Sequence, residues 1–160
     1  RYDLAKLAKH LSTTAKVNHP WNFFHDQVGW NDRLPNINAA IGCSQMEELN
    51  SKLENKRLLH SKFKQYFKDI EEAEIMCEPN NCESNYWLIT LRLKGHKVEE
   101  LRENILLKAH KSKIFLRPSW TLLNQLPMYE SSSSGNLEQA ENQSKRLINL
   151  PSSPQLMKNL

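Results

Sequence analysis

Glycine is scarce in this sequence, with four residues in 160. A phosphate cradle of backbone amides needs G-x-G-x-x-G or G-x-x-x-x-G-K-[ST], and neither run occurs; the G-x-S-x-G of an activated serine is missing too. Cysteine is equally thin. Cys43, Cys77 and Cys82 make an odd set with no C-x-x-C pair, which points away from a disulfide framework and from zinc. Cys43 lies inside a helical pattern and reads as a small buried hydrophobe. Long apolar runs are missing, so neither a membrane span nor a secretory leader is expected, and the cytoplasm is the expected location. Charge of one sign is not in excess: 22 Lys+Arg face 18 Asp+Glu. The basic residues alternate with acids (Lys52, Glu54, Lys56, Arg57; Glu99, Glu100, Arg102, Glu103) in the manner of solvated helix faces. They do not cluster as a nucleic-acid interface requires.

What is present is a globular composition, 39% hydrophobic and 25% charged, in a chain long enough for one domain with a core. The chain opens at Arg1, and Leu4, Leu7, Ala8 and Leu11 follow at helical spacing, like a helix already under way. Ser12–Gln27 carries β-branched Thr13, Thr14 and Val17 and then an aromatic loop, costly to expose. From Asn36, the expected N-cap after Pro35, the apolar set Ile37, Ala40, Ile41, Ser44, Leu49, Leu53 continues to Leu59, Phe63, Tyr66 and Phe67. This predicts a helix or helix pair of about 30 residues, longer than usual, with room for a kink near Asn55.

Beyond a turn-rich segment, Ser84–Leu93 sets Trp87, Ile89, Leu91 and Leu93 on one side of a strand and Tyr86, Leu88, Thr90 and Arg92 on the other. Val98–Ala109 has a helical face, and Lys113–Leu116 reads as a short strand. A loop with a flexible Ser131–Gly135 run follows, then a helix over roughly Leu137–Leu147 with Asn136 and Gln139 at capping-box spacing, and an extended tail. Strands separated by helices make a small α+β lobe. Arg1–Leu34 has the character of the edge of a larger domain.

The histidines offer no site by spacing. His19 and His25 stand six apart in a loop, and His10, His60, His96 and His110 lack i,i+4 partners, so surface or capping roles are expected. No lysine stands out as desolvated beside a cofactor. Two polar-aromatic loops remain, Trp30–Arg33 and Arg117–Thr121. Arginine offers a planar fork for phosphate or carboxylate, and tryptophan a flat face for a base or sugar ring. Spacing alone favours a plainer reading, with both tryptophans as core anchors and both arginines capping carbonyls.

Several stretches, in order, carry a resemblance. "VGWNDRLPNINAAIGCSQMEEL" resembles the hydrophobic-G-Y-N-Y-R segment and the following "NAALGxxQLexL" of the DegT/DnrJ/EryC1/StrS family of pyridoxal-phosphate-dependent sugar-nucleotide aminotransferases. "LENKRLLHSKFKQYF" is similar to that family's R-x-x-x-A-x-x-Y continuation of the helix. "SNYWLITLRL" resembles its Y-x-x-x-hydrophobic strand, "LRPSWTLLNQLPMY" its "TRP-x-W … P-M-Y" loop, and "LINLPSSPQL" its closing strand. "LSTTAKVNHPWNFFHDQ" is similar to a branch that aminates sugars toward legionaminic-type nonulosonic acids.

The resemblance implies an α/β fold, specifically the C-terminal lobe of a fold-type-I pyridoxal-phosphate aminotransferase: a long helix, then a small sheet with helices. Residues 1–34 would be the edge of a large cofactor-binding domain, and 35–160 the small domain with its interdomain helix. The implied reaction moves an amino group from an amino acid, glutamate in complete relatives, to a keto-sugar nucleotide. The Schiff-base lysine, the ring-stacking aromatic and the acid for the pyridine nitrogen belong to a part that precedes these residues in such proteins. By position, Asn31 matches the asparagine that reaches the cofactor phosphate of the neighbouring subunit, which implies a homodimer. Arg33 and Arg117 match substrate-side arginines, and His25 and Trp120 are candidates for lining the sugar-nucleotide cleft. Asp32 departs from the pattern, standing where the family has tyrosine. The alternative is a truncated, non-catalytic remnant or partner of a full-length aminotransferase. No nucleic-acid, membrane or metal partner is expected.

Overall fold

The computed structural model describes residues 1–159. The chain divides into two compact units, Arg1–Glu48 and Leu49–Leu160, each described by itself.

The first unit begins with α1 (Tyr2–Ser12), which has Asp3 in its first turn and Lys9 and His10 in its last, signs that suit the helix dipole. The chain then turns sharply through Thr14 (φ 67°) and Ala15 (φ 48°), both left-handed. Residues with a Cβ adopt that conformation only when their surroundings hold them there. Ala15 is fully buried, and its N–H donates to the His10 carbonyl at 2.9 Å.

The aromatic loop expected after the turn contains a small antiparallel hairpin, β1 (Lys16–Val17) with β2 (Phe24–His25), registered Lys16↔His25 and Val17↔Phe24. Its tip is braced locally. His19 Nδ1 accepts the N–H of Asn22 at 3.0 Å, and Lys16 Nζ lies 4.1 Å from the centroid of the Phe23 ring.

Helix α2 (Asn36–Glu47) starts one residue earlier than its predicted cap allows: Pro35, extended at ψ 148°, is the N-cap and Asn36 is already helical. A proline at the boundary loses nothing by lacking an N–H, and its carbonyl accepts the first helical bond from Ala39 at 3.0 Å. No residue of α2 is buried. Cys43 is therefore exposed, not the small buried hydrophobe expected, because nothing in its own unit covers the helix.

Of the helix or helix pair predicted here, the structure has the pair. Glu48, at φ −96° and ψ −1°, is the turn residue that caps α2 and separates it from α3 (Leu49–Tyr66). The break falls at Glu48 rather than near Asn55.

The second unit is built on a four-stranded antiparallel sheet in the order β3-β4-β6-β5, where β3 is Ala73–Ile75, β4 Ile89–Leu93, β5 Arg117–Pro118 and β6 Leu147–Leu150. Alternation turns Ile75, Ile89, Leu91, Leu93, Ile148 and Leu150 into the core. Against that face pack Leu59 and Phe63 of α3, Val98 and Leu106 of α4 (Val98–Lys111), and Leu156 of a closing 3₁₀ turn (Pro154–Asn159). Thr90 and Asn149 lie opposite each other on the other face and share a 3.0 Å hydrogen bond.

Three sequence expectations shift in this unit. The strand predicted over Ser84–Leu93 begins only at Ile89. Tyr86 is left-handed (φ 44°), and the Ser84 and Asn85 side chains accept the N–H groups of Tyr86 and Trp87 at 3.0 and 2.9 Å. Local side-chain bonds hold those residues out of the ladder.

The strand predicted at Lys113–Leu116 lies instead at Arg117–Pro118. Lys113 (φ 60°) and Ile114 close the end of α4 on the carbonyls of His110 and Ala109, and only then does the chain extend. Pro118 suits an edge strand, having no N–H to donate.

The last helix, α5, is short (Glu138–Ser144), and Leu147 already belongs to β6. Asn136 does accept the Glu138 N–H, at 2.9 Å, while Leu137 occupies the cap.

Candidate functional site

The Thr13–Ala15 turn organises the first unit. Thr14 N–H donates to the Trp30 carbonyl at 2.8 Å, Trp30 N–H to the Leu11 carbonyl at 2.7 Å, and Asp32 N–H to the Ser12 carbonyl at 2.9 Å. Thr13 and Asn31 form an antiparallel bridge. The chain can lie this close only because residue 29 is glycine: a Cβ there would meet the Ala15 nitrogen and the Thr14 carbonyl carbon at 2.6 Å each. On the other side of the turn, His25 Nδ1–H donates to the Thr14 carbonyl at 2.7 Å. That bond sets the tautomer and leaves Nε2 of an exposed ring as an acceptor. His10 Nε2 is bonded to the Asp26 carboxylate at 2.6 Å.

His25 and Asn31 thus hang from one turn, and Arg33 follows two residues after Asn31. All three are exposed. The N–H groups of Trp30 and Asp32 both face the Leu11–Thr14 segment, the alternation of an extended strand. That alternation carries Asp32 to the side opposite Asn31. Among the described residues neither Asp32 nor Arg33 has an ion-pair partner. What this strip offers a ligand is a neutral amide and an unpaired guanidinium, both suited to an oxyanion.

Arg117 and Trp120 belong to the second unit. Arg117 is exposed on edge strand β5, opposite Asn149, and Trp120 is 74% exposed. The plainer expectation, with both tryptophans as core anchors, does not hold, since Trp30 is 59% exposed. Beyond Trp120 the loop encloses a cleft of about 450 Å³ lined by Leu122, Leu123, Tyr129 and Leu137; none of the five expected site residues lines it.

The structure also shows residues that spacing did not flag. His60, expected at a surface or cap, is buried; its Nε2–H donates to the Met76 carbonyl at 3.0 Å and its ring stacks on Tyr86 with centroids 3.9 Å apart. Lys56 Nζ is held by the carbonyls of Ser152 (2.7 Å), Tyr86 (3.2 Å) and Trp87 (3.3 Å). Burial lowers its pKa from the usual lysine range, while three acceptors hold the ammonium as a clip between α3, the approach to β4 and the exit from β6. Trp87, expected on one side of a strand with Ile89, Leu91 and Leu93, lies ahead of that strand and is 64% exposed beside Trp120, their ring centroids 6.1 Å apart. Its one sequence signal was Asn85, a turn former two residues before it.

Among the described residues no group of His, Cys, Asp and Glu could hold a metal ion. No helix there is long and apolar enough to cross a membrane.

The GDP-perosamine synthase of Escherichia coli O157:H7 is 30% identical over 135 residues, 84% of this chain and 35% of that protein. Helicobacter pylori PseC, an aminotransferase of pseudoaminic acid biosynthesis, superposes with a TM-score of 0.84 at 19% identity, covering 99% of this chain and 44% of that one. Streptococcus pneumoniae Spr1654 in its PLP form gives a TM-score of 0.80 at 19% identity, covering 95% and 39%. The chain therefore has the fold of the corresponding portion of these aminotransferases. It spans about a third of the length of the curated relative. Residues 2–159, nearly the whole sequence, match one family along their length, and the chain belongs to the DegT/DnrJ/EryC1/StrS aminotransferase family.

Proposed function

We propose that this chain is the C-terminal part of a pyridoxal-phosphate-dependent aminotransferase that moves an amino group from an amino acid, glutamate, to a keto-sugar nucleotide in the cytoplasm. Residues 1–34 are the edge of its large domain and 35–160 its small domain; Leu160 lies outside the described residues. The observation that carries this reading is the match of residues 2–159 to the aminotransferase family. The likeness of the "LSTTAKVNHPWNFFHDQ" stretch to the legionaminic-type branch extends it to a nonulosonic-acid precursor as substrate.

The residues on the Asn31 strip fit the cofactor's phosphate. The Asn31 amide is exposed on a bridged backbone, Asp32 is carried to the opposite side, and the Arg33 guanidinium has no acid to neutralise it among the described residues. Pyridoxal phosphate, when bound, supplies an electron sink for breaking and making bonds at the amino-bearing carbon. Asn31 donates to the phosphate held by the partner subunit of a homodimer, without adding charge. Arg33 and Arg117 receive anionic groups of the substrate, and His25 and Trp120 line its sugar-nucleotide cleft.

The test uses the complete protein in which this sequence stands. Transfer of the amino group from glutamate to a keto-sugar nucleotide, dependent on added pyridoxal phosphate, is the expected result; its absence would favour a non-catalytic remnant. In the same protein, Asn31→Ala lowers cofactor affinity about tenfold, the scale of one hydrogen bond to a charged acceptor. Unchanged affinity in a spectroscopic titration would count against the phosphate role.

A further inference from the structure

Two large aromatic side chains lie side by side on the surface of the second unit. Trp87 is 64% and Trp120 74% exposed, with centroids 6.1 Å apart and planes tilted by 36°. Water-exposed indoles are costly, and a contiguous exposed apolar patch marks a binding surface. Here the backbone of Trp87 and the residue before Trp120 are each held by hydrogen bonds. The Trp87 N–H donates to Asn85 Oδ1 at 2.9 Å, and its carbonyl accepts from Ser152 Oγ at 2.8 Å and Lys56 Nζ at 3.3 Å. Trp120 follows edge strand β5, with Ser119 Oγ bonded to the Ser144 carbonyl at 3.0 Å. The rings are presented on clamped mounts rather than on a loose loop.

The spacing decides what kind of ligand they suit. A planar ring inserted between two others needs contact distance on each side, about 7–8 Å in all, which 6.1 Å does not provide. The pair is a platform and not a sandwich. Charge narrows the choice further. The stretches 84–90 and 117–129 contain no Asp or Glu, and the preceding acid, Glu83, is paired with Arg57. Arg117 begins the run that ends in Trp120, is exposed, and has no acidic partner among the described residues. A flat apolar platform built on two stretches without acids, one of which carries an exposed arginine, is complementary to a planar base joined to an anion.

We infer that Trp87 joins Trp120 in a stacking platform for the base of a nucleoside diphosphate, with Arg117 serving its phosphates. This deepens the proposed function and rests on it, since of the two tryptophans Trp120 was the one expected on the substrate side.

Calorimetric titration of the full chain with GDP, guanosine and inorganic pyrophosphate tests the platform. Trp87→Ala should weaken GDP and guanosine binding alike, by about tenfold for one lost stacking partner, and leave pyrophosphate binding unchanged. Trp87→Phe, which keeps a ring on the same mount, should retain most of the affinity and guards against a folding defect in the alanine variant. The inference is overturned if GDP does not bind the wild-type chain, if Trp87→Ala binds it equally well, or if pyrophosphate binding falls by the same factor. Sedimentation of the same samples gives a further arm: a wild-type oligomer that Trp87→Ala splits would make the pair a subunit contact and sink the platform. Amino-transfer assays on the complete protein separate the two ideas, because GDP binding that depends on Trp87 without transaminase turnover would sink the proposed function instead.

Discussion

At the scale of single residues, the Trp30–Asp32 strip of the first unit depends on one missing methyl group. Gly29 brings its backbone over the left-handed turn at Thr14 and Ala15, where a Cβ would stand 2.6 Å from two backbone atoms. Neither neighbour is the end of a flexible side chain, so one backbone must move. Gly29→Ala is therefore expected to destabilise the first unit by about 1–3 kcal/mol, the range for overpacking. Amide exchange should show faster opening of Trp30 and Asp32, whose N–H groups bond the Leu11 and Ser12 carbonyls, while β4 stays protected; uniform loss of protection would contradict the locality. The sequence marked Gly29 only as the glycine of the resembling segment, and the close approach that requires it was not legible there. Asn31 and Arg33 were singled out there by resemblance, but the bridge that ties Asn31 to Thr13 was not legible.

Among the elements, the sheet was half legible. The alternation of Ile89, Leu91 and Leu93 marked β4 correctly, because a half-buried strand imposes a period of two on its own sequence. Strand β3 left no such mark: three residues among acids and turns are too few for periodicity to show. Its pairing with β4 carries an ionic clamp, in which Glu74 meets both Arg92 and Lys94. The Lys94 hydrogen bond first, and then the charges of Arg92 and Lys94, hold the Glu74 carboxyl below its ordinary value of 4.5. A carboxyl with a lowered folded-state pKa adds stability above its unfolded value and loses it as pH falls through the folded value. Glu74→Gln should therefore lower stability at neutral pH slightly, within the ~0–1 kcal/mol of a partly exposed pair. The gap between wild type and variant should close as pH drops below about 4.5. Urea denaturation at pH 7, 4.5 and 3 measures it, and a gap that widens in acid would refute the assignment.

For the whole molecule, the notable feature is how much apolar surface the first unit leaves uncovered. Ile37 is 70%, Ile41 58% and Met46 66% exposed on α2, a helix with no buried residue. Such a face invites association. The chain on its own is expected to associate with rising concentration, and Ile41→Lys to weaken that association with an unchanged circular dichroism spectrum; sedimentation velocity checks both, and an unaltered self-association would show that α2 is not the contact. Such association would be in keeping with the homodimer proposed above. The sequence by itself determined the family, the amphipathic helices and the central strand, because local periodicity and an ordered set of motifs are properties of the chain read in one dimension. Only the tertiary structure decided the break at Glu48, the retreat of the strand from Trp87, and the meeting of Trp87 with Trp120. The Ser84 and Asn85 side chains just before Trp87 hold the strand back, whereas the mount under Trp87 also takes bonds from residues distant in the chain, Lys56 and Ser152, which no local pattern encodes.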